Sequence, residues 1–254
     1  MKKGAEGKYS DVMNQMMILS GCDRLRFPTM LNHRAYADRH GYVYRFDISP
    51  RAGRQNLYFH KLDAIKDALP NTEWLFWIDD DAAFTQLDRT FADVVPEMGD
   101  ADTFAIFCAS PVNPQGGWTT LSAGNFFIRN CARGRALIEA AIGTDLTQVE
   151  GWWDREALGM FTSGDQDALV YQIKTNPLFT SGVLILDYER FNTRPYHFEW
   201  QGQHFLAHFT HLPGTTKIEQ MRTFKQALGL DDFFLPPAVT AHYESYTDAH
   251  RHLL

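Results

Sequence analysis

Three consecutive carboxylates, Asp79, Asp80 and Asp81, close the apolar run Trp74-Leu75-Phe76-Trp77-Ile78 and are the residues of this chain best suited to chemistry. Adjacent acids repel one another and are costly to desolvate unless a cation or solvent compensates them. On an extended backbone Asp79 and Asp81 point one way and Asp80 the other, so two carboxylates can share one hard divalent cation. An isolated acidic triplet also suits a wet turn or a helix N-cap, but its place after an unbroken apolar run favours the cation. A third ligand is available far downstream in His208 or His211. Two carboxylates with one imidazole suit Mn2+, with Mg2+ as the other candidate, better than Ca2+ with its all-oxygen shell. In His211-Leu212-Pro213-Gly214-Thr215-Thr216-Lys217, Gly214 allows close backbone approach and Lys217 presents an ammonium at a helix start. That segment can grip a diphosphate, or form a simple helix start after a Pro-Gly turn. Its spacing favours His211 as the ligand.

The elements that must position these groups read as an α/β chain. Trp74 to Ile78 has no polar alternation, as expected of a central strand covered on both faces, and ligands bind at the carboxyl ends of such strands. Before it come a strand at Met16 to Leu19, a helix from Pro28 to His40 stopped by Gly41, a strand at Tyr42 to Phe46 and a helix from Tyr58 to Leu69. This alternation is a doubly wound beginning. Ser20, Gly21 and Asp23, just after the first strand, are nucleotide-site candidates, with Asp23 taking a ribose hydroxyl or capping a turn. Further on, strands are expected at Phe104 to Cys108, Asn125 to Arg129 and Val183 to Leu186, the last near the sheet edge. Helices are expected at Ala132 to Ile142, Gly164 to Ile173 and Ile218 to Leu228, with an irregular loop over 111–120. The resulting division of 1–254 is one domain. Its first half, about 14–110, suits nucleotide binding; a second half, about 111–217, which the resemblance given below makes the acceptor and catalytic half, and a C-terminal helix and tail over 218–254 follow.

Composition excludes several classes. The 254 residues are 44% hydrophobic, 14% aromatic and 22% charged, a globular balance with a large core. A formal charge of -7 argues against a general nucleic-acid binder. Cys22, Cys108 and Cys131 are odd in number and widely spaced, which fits reduced thiols in a cytoplasmic chain. The start at Met1-Lys2-Lys3 is not followed by the apolar core of a signal peptide, and no stretch is long enough for a membrane span, leaving at most peripheral membrane association.

Five ordered segments carry a resemblance to retaining glycosyltransferases of family 34, the galactosyl, mannosyl and xylosyl transferases of fungi and plants. Asn32 to Tyr42 resembles that family's Asn-x-x-x-Tyr-Ala-x-x-His-Gly-Tyr. Lys61-Leu62 and Trp77 to Phe84 are similar to its Lys-Leu and Trp-x-Asp-x-Asp-Ala segments. Ala123 to Cys131 resembles Ala-Gly-Ser-Phe-Leu-Ile-Arg-Asn-Cys, and Asp165 to Tyr171 resembles Asp-Gln-Ser-Ala-Leu-Val-Tyr. The resemblance implies a GT-A-type nucleotide-diphospho-sugar transferase fold with a predominantly parallel central sheet. It also implies a nucleoside diphosphate sugar donor, UDP-linked in the first instance and GDP-mannose in the second, and a carbohydrate or glycolipid acceptor.

Carried over residue by residue, the resemblance makes Asp79, Asp81 and His211 the metal ligands and puts Lys217 at the diphosphate. Asp79, Asp80, Lys61, Ala123, Gly124 and Gly214 join the donor site, and Asp165 and Gln166 line the sugar and reaction centre. The chain departs from the plant pattern at Gly164, where an acid stands there, at Asp167, where a serine stands, and at Ser122 in place of asparagine. The closing segment is similar instead to the His-x-x-Gly-x-x-Lys of family 8 transferases. Two other readings of the residues are a metal-dependent phosphoesterase or nucleotidyltransferase using the clustered acids, and a non-catalytic carbohydrate binder using Trp118, Trp152 and Trp153 as stacking platforms.

Overall fold

A computed structural model describes residues 16–48, 56–197, 204–212 and 214–249. The segments at Met1–Lys8 and Pro213, which the sequence reading used, lie outside the described residues. Six strands form one sheet: β1 (Met16–Gly21), β2 (Val43–Asp47), β3 (Trp74–Ile78), β5 (Ala105–Ser110), β6 (Thr119–Arg129) and β7 (Val183–Leu186), in the order β2-β1-β3-β6-β5-β7. A separate two-stranded sheet pairs β4 (Ala82–Phe84) with β8 (Leu206–His208). The longer helices are α1 (Met30–His40), α2 (Phe59–Ala68), α3 (Ala132–Ile142), α4 (Asp165–Thr175), α5 (Gly214–Ala227) and α6 (Pro237–Ala249).

β3 is buried along its whole length because its two faces feed two different cores. Leu75 and Trp77 join Phe59, Leu62 and Ile65 of α2 with residues of α3 and α4, whereas Trp74, Phe76 and Ile78 join Tyr36 and Ala37 of α1 with Phe84, Phe91, Phe127 and Phe205. In the second core Tyr36 stacks on Phe84 with ring centres 3.9 Å apart, and Phe76 lies 4.4 Å from Phe127. Each such aromatic contact adds to the area it buries. The continuous apolar run is therefore the sequence of a strand with no solvent face.

The central sheet is mixed. β1 runs parallel to β2 and β3, and β7 parallel to β5, but β6 runs antiparallel to both of its neighbours, β3 and β5. The reason lies in the connection: β5 turns back into β6 without an intervening helix, and a parallel return would need a crossover. β6 also begins at Thr119, well before the expected Asn125, and register shifts interrupt its pairing with β5 around Cys108. Its first half, Thr119 to Gly124, is small and polar and lacks a strand's apolar signature, yet this half delivers Ala123 and Gly124 to the carboxyl end of β3.

Helix α1 braces the acid segment from the other side. Asn32 Nδ2 donates to Phe84 O at 2.9 Å and Asn32 Oδ1 accepts from Phe84 N–H at 2.7 Å, while His33 Nε2 lies 2.8 Å from Ala82 O. Both side chains are fully buried. They fix β4 immediately beyond the acids, and Gly41 ends α1 in the left-handed region at φ 69°, where glycine carries no Cβ penalty.

Candidate functional site

Beyond β3 the chain turns instead of continuing extended. Asp79 N–H donates to Gly124 O at 2.8 Å, and Ala82 N–H donates back to Asp79 O at 3.1 Å, closing a turn over Asp79 to Ala82. Strict alternation of the three carboxylates therefore does not hold, but Asp79 and Asp81 still converge. With His208 they form a cluster whose potential ligand atoms all lie within 4.8 Å of one another. His208 Nε2 is 3.1 Å from Asp81 Oδ1 and 3.8 Å from Asp79 Oδ2.

The third member of this cluster is His208 and not the expected His211, and sheet pairing is the reason. β8 runs antiparallel to β4 with Ala82 opposite His208, and Phe209 N–H donates to Asp81 O at 2.8 Å, so His208 is carried directly to the acids. His211 falls after the strand ends, in a turn with φ 64°, and its side chain is exposed at the cavity lip.

The donor set fits a divalent cation. His208 is almost wholly buried, and its Nε2 satisfies no hydrogen bond despite facing two carboxylates. Nδ1 lies 3.0 Å from Asn192 Oδ1 and also contacts the Arg194 guanidinium. Burial first, then the charge of Arg194, lowers the His208 pKa and favours the neutral imidazole that a metal requires. Asp79 Oδ1 is occupied by the Trp77 indole N–H at 2.7 Å and by Lys61 Nζ at 3.0 Å, which leaves Oδ2 on the His208 side. Asp81 is buried too; burial alone would raise its pKa, but His208 and Lys217 outweigh that and hold it below the usual carboxylate range. Asp80 is pushed well up, by burial first and then by its two acidic neighbours.

A second group faces the first. Asp165 and Gln166 open α4, and Lys61 of α2 bridges the two centres: its Nζ lies 3.3 Å from Asp165 Oδ2 and 3.0 Å from Asp79 Oδ1, and donates to Ala123 O at 2.9 Å. Burial disfavours the ammonium, yet Asp165 and Asp79 outweigh it and raise the Lys61 pKa. Burial raises the Asp165 pKa against the pull of Lys61. Gln166 Oε1 accepts from Ala123 N–H at 3.1 Å, so its amide NH2 remains to donate elsewhere. Asp167, the residue standing where the plant pattern has serine, accepts from Thr162 N–H, Thr162 Oγ1 and Gly164 N–H and holds the loop that delivers Asp165.

Lys61→Met is expected to destabilise the fold by about 3 kcal/mol, because it leaves two carboxylates near one another without their shared cation. Urea denaturation measures this, and added Mn2+ is expected to recover part of the loss by compensating Asp79. An unchanged midpoint would mean that solvent already screens the pair.

The two groups share one cavity of about 970 Å³. Of the sequence candidates, Gly21, Asp23, Lys61, Asp79, Asp80, Asp81, Ala123, Gly124, Asp165, Gln166, His211 and Lys217 line it. Ser20 does not: its side chain is fully buried beneath the strand ends. Gly214 sits in the first turn of α5, exposed and outside the lining. Trp118, Trp152 and Trp153 are also outside; Trp153 donates to Gly159 O at 3.0 Å and packs on Phe161, and Trp152 packs on Tyr171. Sequence reasoning missed Arg194, which is fully buried against His208, Asn192 and Ser110. An arginine before a proline in an irregular segment carries no periodic signal. Asn192 was equally invisible, since only the fold brings residue 192 beside residue 208.

Comparisons with known proteins agree with this geometry. Residues 24–101 match the model of the galactosyl transferase GMA12/MNN10 family, a span that contains α1, β3 and the acid turn but ends before Asp165 and His208. Glycosyltransferase 6 of Arabidopsis thaliana is 30% identical over 160 residues, covering 59% of this chain and 36% of the relative. Galactomannan galactosyltransferase 1 of Cyamopsis tetragonoloba is 27% identical over 164 residues, covering 61% and 37%. The chain is related to glycosyltransferases. It spans little more than a third of the length of these two relatives. In structure it is similar to a glycosyltransferase involved in the glycosylation of the major capsid of PBCV-1, with a TM-score of 0.61 at 16% identity, covering 82% of this chain and 99% of the other. The fold is thus GT-A-like α/β with a mixed sheet and an Asp-Asp-His cluster at its centre. Among the described residues no helix is long and apolar enough to cross a membrane.

Proposed function

We propose that the chain is a metal-dependent glycosyltransferase that moves a sugar from a nucleoside diphosphate sugar, UDP-linked, to a hydroxyl of a carbohydrate or glycolipid with retention of configuration. The observation that carries this reading is the Asp79-Asp81-His208 cluster sharing one cavity with Asp165 and Gln166. Asp79, Asp81 and His208 hold the cation, Mn2+ or Mg2+, which when bound neutralises charge on the diphosphate leaving group. Lys217, paired with Asp81, and the cavity residues Arg24 and Arg26 supply further positive charge for the phosphates. Gly21 and Asp23 lie at the end of β1, where a nucleoside can enter.

In the transfer itself the bond from the sugar's anomeric carbon to the phosphate oxygen breaks and a bond from the acceptor oxygen forms on the same face. The acceptor's proton passes to the departing phosphate oxygen. Asp165, already paired with Lys61, suits stabilisation of the positive charge developing on the sugar better than nucleophilic attack. Gln166 is fixed to the Ala123 backbone and offers its amide NH2 to a sugar hydroxyl. Retaining hydrolases differ in that they set two carboxyl groups across the scissile bond.

Thermal shift with UDP and GDP, each with and without Mn2+, tests the reading. UDP with Mn2+ is expected to raise the melting temperature by about 5 °C at saturating ligand. His208→Ala abolishes that rise, whereas His211→Ala retains it. GDP selectivity would redirect the assignment to mannosyl transfer, and metal-dependent phosphate release without sugar transfer would point to a phosphoesterase. Absence of any metal-dependent nucleotide response would sink the transferase reading.

A further inference from the structure

One wall of the cavity has no part in holding a metal or a diphosphate. It is built from two segments clasped across the entrance. Asn56 Nδ2 donates to Ser163 O at 2.8 Å, and the Tyr58 ring lies against Gly164, where an added Cβ would come within 3.3 Å of Tyr58 Cδ2. Gly164 has an ordinary extended φ of -142°, so what the glycine supplies here is close approach of the Tyr58 ring and not backbone freedom. Gly164 thus stands beside Tyr58 at the position where the plant pattern has an acid.

We propose that this wall, formed by Leu57 and Tyr58 on one side and Met160, Phe161 and Thr162 on the other, is the acceptor subsite and takes an uncharged sugar ring against the face of Tyr58; the inference rests on the transferase reading. Three observations carry it. Tyr58 and Leu57 line the cavity yet remain 62% and 50% exposed, an unusual exposure for large side chains at a concave site. The wall also borders the reaction centre. Lys61, one turn beyond Tyr58, pairs with Asp165, and Asp165 directly follows the Gly164 on which Tyr58 rests.

Charge is the third observation. Of the cavity's cations, Lys217 sits over the Phe27 ring and pairs with Asp81, and Lys61, nearer the wall, is paired with both Asp79 and Asp165. Asn56, Leu57, Tyr58, Met160, Phe161 and Thr162 carry no charge of their own, and the ionisable groups beside them are already engaged, Asp167 by Thr162 and Lys61 by Asp165. With those cations already paired to carboxylates, a neutral ring with an apolar face and polar edges suits the wall better than an anion. An aromatic face meeting such a ring adds binding beyond the area it covers.

Saturation-transfer NMR on the chain with UDP and Mn2+ bound, using cellohexaose and mannohexaose as neutral probes and hexagalacturonate as the anionic one, tests the subsite. At least one neutral probe is expected to bind and the anionic probe to bind more weakly. Tyr58→Ala is expected to weaken the neutral probe about tenfold, and Tyr58→Phe to retain it. UDP affinity measured on each variant separates local from global effects. Equal neutral-probe binding by Tyr58→Ala, preference for hexagalacturonate, or no neutral binding by a chain that binds UDP would each overturn the subsite while leaving the transferase reading intact. Failure to bind UDP with Mn2+ at all would remove the reading on which it rests.

Discussion

Asp81→Asn is expected to lower Mn2+ affinity by about a hundredfold and to eliminate metal-dependent nucleotide binding, with only a modest loss of stability. The asparagine has nearly the same shape, so the turn over Asp79 to Ala82, which is closed by backbone hydrogen bonds, persists. What changes is charge. Asp81 is the carboxylate that meets both His208 and Lys217, and it is buried. Removing its charge removes a ligand and leaves the Lys217 ammonium without that partner, a loss worth about 1–3 kcal/mol. Isothermal titration with MnCl2 measures the first effect and urea denaturation the second. Wild-type Mn2+ affinity in the variant would remove Asp81 from the cation site.

Gly124→Ala should be almost as damaging to metal binding through a single methyl group. A Cβ at Gly124 would collide with the His208 ring and come 2.9 Å from Asp79 Oδ2. Neither neighbour can give way cheaply. β6 is hydrogen-bonded on both sides, to β3 and β5, and the imidazole is held by Asn192 and Arg194. Overpacking of this kind costs about 1–3 kcal/mol of stability, and here it falls on the ligand geometry. We expect at least a tenfold weaker Mn2+ response. Gly99→Ala, at a position with nothing within 4 Å of the added carbon, is the control and should behave as wild type. Equal metal binding by Gly124→Ala would mean that His208 is free to move aside.

The sequence disclosed those parts of the site whose cause is local. A strand buried on both faces must be apolar throughout, so β3 and the acids at its end were legible in Trp74 to Asp81, as was α4 with its acidic first turn. Parts that depend on pairing were not. β6 was recognised only over Asn125 to Arg129, because Thr119 to Gly124 is small and polar and becomes a strand through its neighbours. β4 and β8 are three residues each, too short for any periodicity to register. The position of His208 was hidden for the same reason: the residues around His211 drew attention to that imidazole, and the register that brings His208 opposite Ala82 and beside the acids has no local signature. The direction of β6 likewise depended on the connection from β5, which a list of strands leaves open.

The pairing of β4 with β8 joins positions more than a hundred residues apart in the chain. Contacts of such separation carry the larger closure entropy. The Asp79-Asp81-His208 cluster is therefore complete only once β8 has docked, although two of its members lie just beyond the end of β3. A chain in which β8 has not docked lacks Phe205 in its second aromatic core and has only the pair of acids, so a divalent ion that takes all three ligands would discriminate the finished protein from that intermediate. A divalent ion taken up by the three ligands would favour the docked state by mass action, and its binding would report native assembly as well as serve the proposed chemistry.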